Sequence, residues 1–279
     1  MLISTVTAEE RIAAAEARGK RGLWHRARRA AELLTALGAA DLKLRYGRGR
    51  ASTIKWLLDP IAATGVYLVL VEFVLDRPGG AWALSIACAV FPFQLLMMTI
   101  NNALSTVRMR QSIVSNMAFP RILLPVSSAL TESVAFIGTL PLFAVMMAAY
   151  GEQPEASMVW LPVLILMTIG CAIGLAYPAA LFGLWFREYH NFVISGVRTF
   201  FFLAAGLIAL DQVHGGARDL LPLNPLTGIF EAYRHVLIYG SAPAWWHILY
   251  PLGVAAVLFL AFLPIYRREQ TQFAKVGES

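Results

Sequence analysis

The residues best able to do chemistry are few and badly placed for it. Five histidines, His25, His190, His214, His235 and His247, are scattered over flanks and loops with no metal-ligand spacing. Cys88 and Cys171 each lie inside an apolar stretch, where a thiol reads as a small buried hydrophobe rather than a disulfide half or a ligand. Ser, His and Asp all occur, but nothing places them together, and the strand-to-helix nucleophile signature G-x-S-x-G is missing. A phosphate-wrapping loop needs G-x-x-x-x-G-K-[ST]. The single Gly-Lys pair, Gly19-Lys20, has Ala14 where the first glycine should stand and Arg21 in place of Ser or Thr. The chain therefore reads as carrying no catalytic residues, no metal and no cofactor of its own.

Charges inside apolar segments are the next candidates, because an ionised side chain there needs a partner or a purpose. Asp59 and Glu72 stand near opposite ends of one apolar segment, where they can snorkel to an interface. Glu132 lies ~15 Å of helix beyond Ile122 and is a candidate to pair with Arg198 or to hydrogen-bond at a subunit seam. Arg198 reads first as a pairing residue within a bundle, and second as a fork for the phosphate oxygens of a lipid diphosphate.

These residues are set in elements that have little water to face. Of 279 residues, 58% are hydrophobic and only 14% charged, with a mean hydropathy of +0.62; soluble domains carry about 25% charged residues. About 20 apolar helical residues cross the ~30 Å hydrocarbon layer. Six segments qualify: Leu57–Leu75, Trp82–Val107, Leu123–Tyr150, Val159–Phe186, Phe192–Leu210 and His247–Tyr266. Their apolar runs are continuous rather than alternating, which favours helices over a barrel. The expected fold class is an all-α membrane protein of six transmembrane helices.

An even number of spans puts both termini on one side. With that side cytoplasmic, nineteen Lys and Arg residues face the cytoplasm and three face outward, leaving Arg198 inside the fifth span. The positive-inside rule fixes this orientation, with cytoplasmic termini, and the expected location is a bacterial inner membrane. The net charge of +6 is concentrated ahead of the first span, where 12 of the 23 basic residues fall between Arg11 and Lys55; that distribution argues against a nucleic-acid partner. The first 22 residues lack the apolar core of a cleavable signal. From Arg28 to Tyr46, Ala30, Leu33, Leu34, Leu37 and Leu44 recur at helical spacing, which predicts an amphipathic helix in the inner headgroup layer, or else one packed on a soluble partner. The expected domains are a cytoplasmic arm over 1–56, a membrane domain over 57–266 and a cytoplasmic tail over 267–279.

The connection between the second and third spans reads RMRQSIVSNMAFPRILLPVSSAL. A short polar helix over Gln111 to Met117 is broken by Phe119-Pro120-Arg121 before Leu123-Leu124-Pro125 re-enters the membrane, since proline marks helix boundaries. This segment resembles the coupling loop of the type-2 ABC exporter permeases, in the branch that exports O-antigen, capsule, teichoic acid and related polysaccharides. DLKLRYGRGRASTIKWLLDP (Asp41 to Pro60) resembles that family's approach to its first span. LPLNPLTGIFEAYRHVL (Leu221 to Leu237) resembles its outer Asn-Pro motif, and YRREQTQFAKV (Tyr266 to Val276) its cytoplasmic end. The resemblance runs from about Asp41 to the C-terminus.

The resemblance implies a homodimer with two separate nucleotide-binding ATPase subunits, which hold ATP and Mg. It implies a lipid-linked glycan as cargo. The coupling contact would fall on Arg110, Gln111, Asn116, Phe119, Pro120 and Arg121. Between Asp211 and Trp246, Asn224-Pro225 ends an extended stretch and Thr227 to Tyr239 reads as a short amphipathic helix; Asn224, Pro225, Tyr233 and Arg234 are the expected outer gate, with Tyr233 and Arg234 near the exit. Aromatic faces bind sugars without demanding one charge pattern, so Tyr67, Phe200 and Phe201 are candidate channel-lining residues, although aromatics also fill cores. A drug or lipid exporter of the same superfamily is the nearer alternative. A membrane-embedded lipid-modifying enzyme is the more distant one.

Overall fold

The computed structural model describes residues 28, 31–38, 62, 66, 82–109 and 121–269; among them the regular structure is helical, with no strand. Four helices are long and apolar enough to cross a membrane: Trp82–Thr106, Leu123–Tyr150, Ala156–Trp185 and Trp245–Glu269. They match the expected second, third, fourth and sixth spans. The expected first span, Leu57–Leu75, lies outside the described residues apart from the isolated Ala62 and Val66.

The framework consists of α1 (Trp82–Met109), α2 (Leu123–Tyr150) and α3 (Leu161–Trp185), the last introduced by the 3-10 turn Ala156–Trp160. After it come α4 (His190–Phe202), α5 (Pro225–Leu237) and α6 (Trp245–Glu269). The central element is α1, which packs on α2, α3, α4 and α5, while α6 lies outside against α3 and α5. Within its apolar window 83% of α1 is buried, against 11% for α6. The exposed Leu249, Val257 and Leu260 of α6 thus form an apolar face that a membrane-spanning helix can turn to lipid.

Without a hydrophobic drive between helices in lipid, close backbone approach and small residues hold the bundle together. Gly183 of α3 lies directly against the backbone of Leu104 in α1, and Gly174 lies against Ala255 of α6, leaving no room for a Cβ at either position. The end of α2 is set by Gly151 at φ 73°, with the Glu152 N–H donating to Met147 O at 3.0 Å. That left-handed cap stops the helix where glycine adopts it at least cost.

The expected fifth span, Phe192–Leu210, is not one continuous helix. The helical part is α4, whose 13 residues give ~20 Å of rise, less than the ~30 Å layer. From Leu203 the chain turns tightly, with the Gly206 N–H donating to Ala204 O at 2.7 Å. Apolar composition continues through LAAGLIAL, so hydropathy alone does not reveal the break. The side chains that satisfy the broken backbone lie some twenty to thirty residues downstream, on α5.

Candidate functional site

Helix α5 begins where the sequence provides the signals for it. Asn224 is the N-cap, its side-chain oxygen accepting the Leu226 N–H at 3.0 Å, and Pro225 occupies the first helical position, where a missing N–H costs nothing. The same Asn224 donates from Nδ2 to Phe200 O at 2.8 Å, closing the end of α4. Thr227 Oγ1 donates to Leu221 O at 2.7 Å. Asn224-Pro225 thereby ties two chain reversals together.

The centre of this region is Arg234, fully buried on α5. Its Nη1 donates to Glu231 Oε1 at 2.7 Å and to Ala205 O at 2.6 Å; Nη2 donates to Gly206 O at 2.9 Å; Nε donates to Ser85 Oγ at 3.0 Å. Glu231 Oε1 also accepts the Leu210 N–H at 2.9 Å. The backbone groups released where α4 breaks are therefore taken up by a neutralised Arg–Glu pair. Irregular backbone inside an apolar layer is tolerated only when protein satisfies it in this way.

Tyr233 and Arg234 were expected near an exit. In the structure neither side chain is accessible. The Tyr233 hydroxyl is 3.1 Å from Thr168 Oγ1, and its ring stacks on Phe143 at 6.2 Å and meets Phe136 edge-on at 6.3 Å. Both residues fasten α5 to α1, α2 and α3. The expected lining residues separate as well. Phe201 is fully buried against Phe93 and Phe230, with ring centroids at 4.6 and 5.7 Å, whereas Phe200 is 57% exposed. Tyr67 lies outside the described residues.

At the opposite end, Arg110, Gln111, Asn116, Phe119 and Pro120 of the expected coupling loop also lie outside the described residues. Arg121 is described, and its position is informative. Tyr266 Oη of α6 donates to Arg121 O at 3.2 Å, and Tyr177 Oη of α3 donates to Ile122 O at 3.0 Å. The two tyrosine rings meet edge-on at 5.5 Å. The backbone that leaves the loop is thus fastened to two further membrane helices.

Between the two ends runs a polar ladder that takes in Glu132, whose asparagine partners the sequence reading overlooked. Asn101 Oδ1 is 2.9 Å from His190 Nε2, linking α1 to the start of α4. Asn102 Nδ2 donates to Glu132 of α2, and Ser128 Oγ donates to Thr106 Oγ1 at 3.2 Å. Two adjacent asparagines inside the apolar run TINNAL were the available signal. Glu231 was overlooked too, although it stands at helical i,i+3 spacing from Arg234. Among the described residues no group of three or more His, Cys, Asp and Glu is placed to hold a metal ion.

These buried polar contacts hold the helices of the bundle to one another. No protein-family model matches the chain. Two O-antigen export system permease proteins RfbA of Klebsiella pneumoniae are 24% and 23% identical over 247 residues, covering 88% of this chain and 95% of each relative. An O-antigen export system permease protein RfbA of Myxococcus xanthus is 26% identical over 246 residues, covering 87% of this chain and 94% of its own. The resemblance to the type-2 ABC polysaccharide-export permeases is borne out across nearly the whole chain.

Proposed function

We propose that this relative of the O-antigen export permeases is itself the membrane-spanning subunit of an ABC exporter, moving a lipid-linked polysaccharide outward across a bacterial inner membrane. The observation that carries the reading is near-end-to-end similarity to three export permeases, joined to a bundle with four membrane-length helices. The finer reading has six crossings, with Leu57–Leu75 as the first and α4 plus the turn after it as the fifth. The arm over 1–56 and the tail over 267–279 lie in the cytoplasm, and two copies enclose the conduit.

ATP and its Mg belong to a separate partner subunit. That subunit docks on Arg110, Gln111, Asn116, Phe119, Pro120 and Arg121, and its closure moves the loop. The hydroxyls of Tyr177 and Tyr266 hold the carbonyls of Ile122 and Arg121, so displacement of the loop reaches α2, α3 and α6 together. At the outer end, Asn224, Pro225, Tyr233 and Arg234 keep α5 stiff, and the outer gate opens by movement of α5 as a unit. Phe200, exposed on α4 as Phe192 and Phe202 are, meets a passing sugar chain, and Tyr67 is assigned to the same lining.

The reading is tested by deleting the gene in a bacterium that displays its polysaccharide and assaying surface glycan by antibody or lectin. Loss of surface glycan with lipid-linked polymer accumulating inside supports the export role. Normal display would refute it.

A further inference from the structure

Arg198 is the outlier of α4. Among the described residues it has no hydrogen-bonding or ion-pair partner, and it is exposed from the protomer. It lines a cavity of about 340 Å³ together with Val90, Phe93, Gln94, Met97 and Phe202. The side-chain oxygen of Gln94 is enclosed there without a hydrogen-bond partner. One charged fork and one unsatisfied amide stand in an otherwise apolar wall.

Depth distinguishes this site from a surface arginine. Helices α1 and α4 run antiparallel, since His190 meets Asn101 and Phe201 meets Phe93. From Trp82 at the outer end of α1, Gln94 is ~18 Å down the helix, and from His190 at the inner end of α4, Arg198 is ~12 Å up. Both lie in the middle of a layer ~30 Å thick. Resident phospholipids keep their phosphates at the two faces of that layer. A cation left unpaired at its middle is costly unless an anion visits it. A guanidinium suits phosphate oxygens, two at a time. Turning the Gln94 amide by half a turn presents an NH2 to the same anion.

We infer that Arg198, with Gln94, forms a mid-membrane way-station for the phosphate of the lipid-linked cargo in transit. The inference rests on the export function proposed above and adds a location for the headgroup. The apolar walls of Phe93, Met97 and Phe202 accompany the prenyl chain, while the fork replaces part of the water the phosphates leave behind.

The test titrates the permease–ATPase complex in nanodiscs with a labelled long-chain polyprenyl diphosphate. The matching polyprenol and phosphatidylglycerol serve as the other two ligands. The wild type is expected to bind the diphosphate best. Arg198→Ala should weaken that binding about tenfold, Arg198→Lys should weaken it less because it keeps a point charge, and polyprenol binding should stay unchanged. Because Arg198 is exposed and has no partner among the described residues, Arg198→Ala should elute and melt like the wild type. Equal diphosphate affinity for Arg198→Ala and wild type would overturn the inference while leaving the export reading intact. Displacement of the diphosphate by equimolar phosphatidylglycerol would overturn it as well, by making this a seat for resident lipid. A wild type that binds no prenyl lipid would overturn both the inference and the proposed cargo.

Discussion

Arg234 and Glu231, one turn apart on α5, form a buried ion pair at 2.7 Å whose unused hydrogen-bonding capacity is spent on another part of the chain. The guanidinium takes the Ala205 and Gly206 carbonyls and the carboxylate takes the Leu210 N–H. Removing one partner of such a pair leaves a buried charge uncompensated, at a cost of about 3–5 kcal/mol. Arg234→Leu should therefore sharply lower the amount of folded protein recovered from membranes, and its melting temperature with it. Glu231→Gln keeps an acceptor for Arg234 but removes its counter-charge, and should destabilise the protein as well. Equal melting temperatures for Arg234→Leu and wild type would contradict this assignment.

Tyr233 provides a graded test of the same region. Tyr233→Phe removes one hydroxyl bond to Thr168, worth about 0.5–1.5 kcal/mol, and should leave a stable protein. Tyr233→Ala empties the space between Phe136 and Phe143 and should cost about 3–5 kcal/mol. Thermal unfolding in detergent distinguishes the two. A Tyr233→Ala protein as stable as wild type would restore Tyr233 to an exposed role at an exit.

The close approach of α1 and α3 depends on Gly183. A methyl group there meets the Leu104 backbone, which cannot move aside as a side chain can. Gly183→Ala should separate the helices and destabilise the bundle by about 1–3 kcal/mol. Gly196, which has open space around its Cβ position, is the control, and Gly196→Ala should be neutral or slightly stabilising. The comparison is a pair of melting curves, and a reversed order would refute the packing account.

The tyrosine anchors predict a separation of activities. Tyr177→Phe together with Tyr266→Phe keeps both rings but releases the Ile122 and Arg121 carbonyls. In the assembled exporter, ATP turnover should continue while glycan export falls several-fold. Export per ATP equal to that of the wild type would remove these hydroxyls from the path of force.

Part of this was legible in the sequence, for a physical reason. Long continuous apolar runs favour long helices, so Leu123–Tyr150 was placed to the residue and three other membrane-length helices to within a few. The short helix expected over Thr227 to Tyr239 is α5, which starts two residues earlier because Asn224 caps it and Pro225 opens it. The break at Leu203 was not legible, because the groups that satisfy it come from Glu231 and Arg234 and hydropathy carries no information about distant partners. The adjacent Phe200 and Phe201 were ambiguous for a similar reason. Neighbouring positions on a helix point in different directions, and only packing shows that Phe201 faces Phe93 while Phe200 faces outward.

The central claim is that a separate ATPase drives this chain through the loop ending at Arg121. The most direct measurement is copurification of the chain with the ATPase encoded nearest to it, followed by ATP turnover with and without Phe119→Ala or Arg121→Ala. A stable complex is expected, with turnover or coupling that changes with either substitution. A chain that purifies alone, indifferent to any ATPase, would contradict it.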